Sequence, residues 1–210
     1  MIRLQIALIV GGGFLAYYGF TQYRVSSGTT AEPLEVAIAD LEADKTPDNN
    51  HVKIGPHVAL YGACVYTAEQ DRGDAGEVSD SAKVTETLYP LFSAEQFARL
   101  EEAEDPQEFL NTAKFAVLVK TKEWKTYGAI PDGAEEVGSV QGLFINRIES
   151  LDDEYVKLIK DNFPGVDSDK ILILEKGRKP TSHALSLLMM VGGVALVGGG
   201  VLWMIIGFRS

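Results

Sequence analysis

Residues 185–208 read LSLLMMVGGVALVGGGVLWMIIGF, a stretch that contains no charged side chain. The hydrocarbon core of a bilayer is about 30 Å thick, and a helix needs about 20 apolar residues to cross it. This stretch is therefore long enough to span a membrane with some tilt. Trp203 suits an interfacial aromatic residue, and Arg209 follows at the boundary. We predict a transmembrane helix over 185–208.

A second apolar stretch lies near the N-terminus, where residues 4–20 read LQIALIVGGGFLAYYGF after Arg3. We predict a first transmembrane helix over residues 1–23, with an interfacial belt formed by Tyr17, Tyr18 and Tyr23. A cleavable signal peptide is the alternative, because it also begins with a positive charge and an apolar segment. No small-x-small cleavage site follows the apolar stretch, which favours a retained anchor.

Both predicted spans carry small residues four positions apart, which lets helix backbones approach closely. We expect helix packing at these positions, either between the two spans or with a partner such as a second copy of the chain. Glycine is also common in membrane helices, so its frequency alone is the competing explanation. The candidate packing residues are Ala7, Gly11, Gly12, Ala16, Ala195 and Gly199.

The region between the spans is strongly acidic. All 30 carboxylate side chains lie between Glu32 and Glu175, and 17 of the 19 basic residues lie between the two spans, so the region between the spans has a net charge of about −13. A field of this sign repels phosphate backbones and keeps a domain soluble. We therefore predict no nucleic-acid partner. Within this region we expect a polar tether over 24–33, a soluble domain over 34–175 and a basic juxtamembrane segment over 176–184.

The domain reads as roughly four strands, a helix, two strands, a helix and a final strand. Strands predominate without regular crossover helices, which favours an α+β fold with a mostly antiparallel sheet that could close into a small barrel, with two to three short helices. A capping box at Ser93–Gln96 predicts a helix start. We predict single strands over 58–68 and over 137–148, the latter bent at Gly142.

The flanking charges disagree on which side of the membrane this domain lies. Arg3 and the terminal amine outweigh Arg24 at the first span, which favours an exported domain, whereas residues 176–184 outweigh Arg209 at the second. The first helix usually dominates. We expect a two-pass integral membrane protein with an extracytoplasmic domain.

Few residues suggest a metal or cofactor site. His51 and His57 flank Gly55-Pro56, and Cys64 follows in an apolar segment. These three are weak metal candidates, because their spacing matches no established ligand pattern. As the single cysteine, Cys64 cannot form an intrachain disulfide and is expected to be a small core residue. Calcium ligation by Asp71, Asp74 and Glu77 is a weak alternative, since their spacing differs from an EF-hand. We predict no metal and no cofactor.

No nucleophile motif and no phosphate-binding loop is present. We predict a non-enzymatic membrane-anchored protein whose domain binds protein partners or assists a membrane complex. One alternative is ligand or cofactor handling at the membrane surface, with the barrel enclosing an apolar ligand; a barrel interior filled by side chains would argue against it. Another is a membrane-tethered hydrolase or transferase without a recognisable motif, which two strongly perturbed acids in one pocket would favour.

Overall fold

The computed structural model of the chain describes residues 2–68, 78–105, 108, 115–147, 153–167 and 170–209. It divides into two units, one made of Met1–Ala31 with Lys179–Ser210 and the other of Glu32–Arg178. Within the described residues the α-helices are α1 (Ile2–Ser27), α2 (Ile38–Glu42), α3 (Ala94–Glu101), α4 (Asp153–Asn162) and α5 (His183–Arg209). The strands are β1 (Leu34–Val36), β2 (His51–Ile54), β3 (His57–Leu60), β4 (Val65–Ala68), β5 (Val84–Phe92), β6 (Val117–Thr121), β7 (Ala134–Val137), β8 (Val140–Phe144) and β9 (Leu172–Lys176).

The first unit is an antiparallel pair formed by α1 and α5. Both helices are long and apolar enough to cross a membrane. α1 continues to Ser27, beyond the predicted span and into the predicted tether, and ends where Gly28 follows. α5 extends past the predicted span at both ends. In each helix only 17% of the apolar window is buried inside the protein, so most of its side chains face outward.

The second unit is an α+β domain built on one curled, half-barrel sheet, as predicted. Its strand order is β1-β2-β8-β9-β6-β5-β3-β7, and β4 also pairs with β5. Six of the eight pairings are antiparallel, and the parallel ones are β1 with β2 and β6 with β9. Starting at β3, neighbouring strands are β5, β6, β9 and β8. The strand that precedes β8 in the chain, β7, pairs with β3.

The sheet turns through a bent two-stranded ribbon. β2 and β3 pair with β8 and β7 in one continuous register, from His51 opposite Leu143 to Leu60 opposite Ala134. The corner lies at Gly55-Pro56 on one chain segment and at Gly138-Ser139 on the other. The prediction of one strand over 137–148 with a bend at Gly142 is therefore wrong, because the bend lies at Gly138-Ser139. Gly142 instead permits a close approach to β9, because a Cβ there would lie 2.8 Å from the carbonyl carbon of Glu175.

The predicted strand over 58–68 is also interrupted. A 3₁₀ helix at Tyr61–Ala63 separates β3 from β4, and both strands pair with β5 at successive positions. The backbone N–H of Gly62 donates a 2.8 Å hydrogen bond to the carbonyl of Gly133, which fixes this turn beside the start of β7. The apolar sequence continues through the turn, so alternation of residue types could not reveal it.

Side chains fill both faces of the central strands. The concave face is packed with a cluster drawn from α2, from β2, β3 and β8 of the ribbon, from the 3₁₀ turn after β3, and from β5, β6 and β9: Ile38, Leu41, Val52, Ile54, Ala59, Tyr61, Tyr89, Leu91, Val117, Val119, Val140, Phe144 and Leu174. The convex face of β5, β6 and β9 is covered by α4 and the segment after it, with Ile159 and Phe163 against Leu118. The predicted cap at Ser93 is present, since its Oγ accepts from the Gln96 N–H at 3.2 Å.

Candidate functional site

The two candidate histidines lie on either side of the ribbon corner, and each has a protein partner. His51 is buried, and its Nε2 lies 3.0 Å from the side-chain amide nitrogen of Gln141. His57 is also buried, and its Nδ1 donates to the carbonyl of Gly55 at 2.7 Å. Burial lowers the pKa of His57, which keeps its ring neutral. Both rings are thus held within the fold.

Cys64 is half-buried against the concave core. Burial raises the pKa of its thiol, and the charge of Asp132 adds to the rise. The thiol therefore stays protonated at neutral pH, whereas metal binding and nucleophilic attack need the thiolate. Within the described ranges, no three His, Cys, Asp or Glu side chains come together in a way that could hold a metal ion. Asp71, Asp74 and Glu77 lie outside the described residues.

The α1–α5 interface is built on glycines. A Cβ at Gly193 would meet backbone atoms of Ala16 and Gly12, the latter at 2.6 Å from its oxygen. Gly19 packs in the same way against the Met190 backbone, and Gly200 packs against Ile9. Of the predicted packing residues, Gly12 and Ala16 lie in this interface. The others are exposed on other faces of the two helices: Ala7, Gly11, Ala195 and Gly199.

Polar side chains join the two helices at the end nearer the domain in sequence. Ser26 Oγ lies 3.2 Å from His183 Nδ1, and the His183 ring packs edge-on against Tyr23. Thr181 donates to the Gln22 side chain at 2.8 Å. Hydrogen bonds between Ser, Thr, Gln and His side chains recur between packed apolar helices. They fix the antiparallel alignment of α1 and α5.

Three aromatic rings, Tyr61, Tyr89 and Trp124, form what we call the aromatic cluster on the concave face. Their centroids lie 4.8 Å apart for the two tyrosines, 5.4 Å for Tyr61 with Trp124 and 5.8 Å for Tyr89 with Trp124. The hydroxyls of Tyr61 and Tyr89 are hydrogen-bonded to each other. Rings at these distances pack directly against one another and leave no room for a ligand between them.

The concave face becomes more polar along its strands. One row of register partners is apolar: Ala59, Leu91, Val117 and Leu172. The next contains Tyr89, Val119, Leu174 and Phe144, and the third contains Tyr66, Thr87 and Thr121. In this third row the Oγ1 of Thr87 is buried, and it has no hydrogen-bond partner in the part of the chain that the structure describes. This end of the curled sheet thus carries a layer of hydroxyls beside the aromatic cluster.

Two carboxylates, Glu135 and Glu123, lie near the aromatic cluster. Glu135 is the register partner of Ala59 on β7 and so faces the same side of the sheet as Tyr61, two residues further along. Its charge and that of Glu123 both act on Tyr61 and Tyr89. Glu123 in turn forms a 2.6 Å ion pair with Lys176. We call this end of the curled sheet, with the aromatic cluster and these carboxylates, the acidic mouth.

Two open grooves lie elsewhere on the domain. One, of about 670 Å³, is bordered by three basic and three acidic side chains, so it presents no net charge: Lys45, Arg147, Lys170, Glu42, Asp44 and Asp167. The other, of about 530 Å³, lies at the ribbon corner and is lined largely by small residues such as Gly55 and Ser139. Neither groove brings together a set of groups suited to a particular reaction.

Replacing Tyr89 by phenylalanine is expected to change the alkaline stability of the domain. Burial, followed by Tyr61 and the nearby carboxylates, raises the pKa of Tyr89. A raised pKa favours the neutral form in the folded state, so this stability is present below about pH 10 and is lost as the pH rises further. Tyr89→Phe should cost about 1 kcal/mol at pH 8 through the lost hydrogen bond, and the gap to the natural protein should narrow at higher pH. Urea unfolding of both proteins at pH 8 and above pH 10 measures this difference in stability. A difference that does not change with pH would contradict the raised pKa of Tyr89.

The aromatic cluster and the acidic mouth were not predicted from the sequence. The alternation of Thr85, Thr87 and Tyr89 within β5 is the available signal, because residues two apart lie on one face of a strand. The seven-residue spacing of the interface glycines was a second signal. The chain matches no protein-family model, and no match to it is found among curated proteins or solved structures.

Proposed function

We propose that this chain is a two-pass integral membrane protein whose acidic domain binds a protein partner or assists a membrane complex. The observation that carries the proposal is the glycine-packed pair of α1 and α5. Its inner faces approach closely while its outer faces expose large apolar side chains, among them Phe14 at 72% and Leu188 at 69%. Exposing such large apolar surfaces to water is unfavourable, whereas lipid tails can pack against them.

An antiparallel pair places both ends of the domain at the same side of the membrane. α1 leads into the domain from Ser27, and α5 receives the chain at His183. The domain is therefore tethered at two points, and both termini lie across the bilayer from it. We propose the extracytoplasmic side for the domain, because Arg3 and the terminal amine outweigh Arg24 at the first span.

Partner binding is favoured over enclosure of an apolar ligand, because side chains fill the concave face of the sheet. It is also favoured over a carboxylate-based hydrolase by the surroundings of Glu86. Burial alone would raise the pKa of Glu86, but hydrogen bonds and ion pairs with Lys122 and Lys120 outweigh it and lower the pKa. A carboxyl group that acts as a general acid at neutral pH needs a raised pKa instead. Glu86 is thus better suited to holding strands β5 and β6 together.

A topology measurement tests the membrane part of the proposal. A reporter inserted within residues 71–81 should be active on the extracytoplasmic side, and reporters at either terminus should be active in the cytoplasm. A domain reporter on the same side as the termini would contradict a two-pass arrangement.

Affinity purification tests the partner-binding part. The tagged chain, expressed at native level and solubilised in detergent, should retain a protein that is lost when residues 32–178 are deleted and the helices are joined by a flexible linker. Recovery of the chain alone in both samples would contradict the proposal. Recovery of the same protein in both would move the binding site to the helices.

A further inference from the structure

We propose that the open edge of β7, at the acidic mouth, receives a basic extended segment of a partner protein as an added strand. This inference rests on the proposed function, because it names the surface and the chemistry of the partner that the domain binds. Added strands gain affinity from main-chain hydrogen bonds and specificity from alternate side chains.

β7 presents an unpaired edge. β7 is the last strand at one end of the sheet, and among the described strands it pairs only with β3. Its first three residues, Ala134–Glu136, are exposed, so nothing in the described domain covers them. A strand edge of this kind carries a row of unpaired N–H and C=O groups, which is a template for another extended chain.

The charges along this edge indicate the partner. Asp132, Glu135 and Glu136 are all exposed, and no basic residue occurs between Lys125 and Arg147 in the sequence. Carboxylates on an edge also prevent aggregation between copies of the same acidic chain, because like charges repel. Both effects have the same consequence, since they exclude an acidic strand and admit a basic one.

The concave side adds a place for a cationic side chain. Glu135 faces that side, where Trp124 is half-buried within the aromatic cluster. A lysine or arginine on the added strand would lie between the carboxylate and the ring, where charge pairing and cation–π attraction act together.

The other two sheet edges are less suited to this role. On β1, Glu35 is already paired with Lys53 at 3.0 Å. β4 is largely half-buried and carries no charged side chain. β7 is therefore the edge that combines exposure, a single sign of charge and neighbouring aromatic rings.

The test uses the full chain in nanodiscs of zwitterionic lipid and a short, end-blocked peptide in which lysine alternates with valine. We expect saturable binding that falls about tenfold or more in the double variant Glu135→Lys/Glu136→Lys. The double variant Glu95→Lys/Glu101→Lys, on exposed positions of α3, carries the same change of net charge and should bind normally. A peptide with alternate backbone nitrogens methylated keeps its charge but loses its donors, and should not bind. Equal binding of the methylated peptide, or an equal loss in the α3 variant, would overturn strand addition.

A second measurement separates this inference from the proposed function. A photo-crosslinking residue is placed at Glu136 or, as the control, at Glu101, and the protein retained in the affinity purification is the target. Crosslinking from position 136 alone supports the inference. Crosslinking from position 101 alone overturns the β7 site, yet leaves partner binding intact. Absence of any retained protein counts against both.

Discussion

Replacing Gly142 by alanine is expected to destabilise the domain by about 3 kcal/mol, the upper part of the range for overpacked sites. Gly142 lies in β8, opposite Val52 on β2 and Lys176 on β9. The Cβ of alanine would meet the carbonyl group of Glu175, 2.8 Å from its carbon. Backbone atoms cannot rotate away as a side chain can, so β8 and β9 would have to separate.

Gly138→Ala is the matched control. It lies at the ribbon corner four residues earlier, and a Cβ there meets nothing within 4 Å. This change should leave stability unaltered or raise it by up to about 1 kcal/mol, because alanine has fewer unfolded conformations. Urea unfolding in detergent, in a Trp203→Phe background, lets Trp124 report on the domain alone. Equal midpoints for the two variants would show that β8 and β9 tolerate a side chain at Gly142.

Gly142 also shows what the sequence could predict of this fold. A glycine inside a strand indicates either a bend or a close backbone approach. The sequence alone favoured the bend, because the strand that approaches it, β9, comes about thirty residues later. Strand content and the antiparallel majority could be predicted, since they depend on local alternation and on the lack of crossover helices. The partner of each strand could not, because register depends on residues distant in the chain.

The acidic mouth was beyond prediction for the same reason. Tyr61, Tyr89 and Trp124 come from a 3₁₀ turn, β5 and the segment after β6, and only the register of β3, β5 and β6 brings them together. The sequence made His51, His57 and Cys64 weak metal candidates because their side chains can bind metals. Their surroundings, a backbone carbonyl, an amide and a packed core, are set by the fold and could not be read from their spacing.

Packing of small residues in the two helices was predicted from the sequence, but the spacing of the interface residues differs from the prediction. Small residues four apart indicated the packing faces, whereas the interface repeats every seven residues. Gly12 and Gly19 are buried on α1, with Gln5 and Ser26 extending the same row; Ser186, Gly193 and Gly200 are the corresponding buried positions on α5. A seven-residue repeat keeps two helices in contact through a left-handed supercoil. Glycine at these positions brings the backbones together, so the pair depends on the absence of side chains.

Gly193→Ile is therefore expected to separate α1 from α5. Its Cβ would lie 2.6 Å from the Gly12 oxygen and 2.8 Å from the Ala16 Cα, and the rest of the isoleucine side chain has no space between the helices. Gly199→Ile adds the same side chain on the same helix, at a position where a Cβ meets nothing within 4 Å. The two variants have equal hydropathy, so membrane insertion should be the same in both. Only the packing between the helices differs.

Crosslinking at the helix ends farthest from the domain in sequence measures this separation. Gln5→Cys and Gly207→Cys, in a Cys64→Ala background, place thiols where the Gln5 side chain lies 3.6 Å from the Cβ position of Gly207. A short bifunctional thiol reagent should join them in the membrane, and cleavage at a protease site inserted within residues 71–81 then leaves the two fragments linked. Gly193→Ile should reduce the linked fraction about tenfold, equivalent to a loss of about 1.4 kcal/mol in packing, and Gly199→Ile should preserve it. Similar linking in both variants would mean that the connection through the domain, rather than the glycine interface, holds the two helices together.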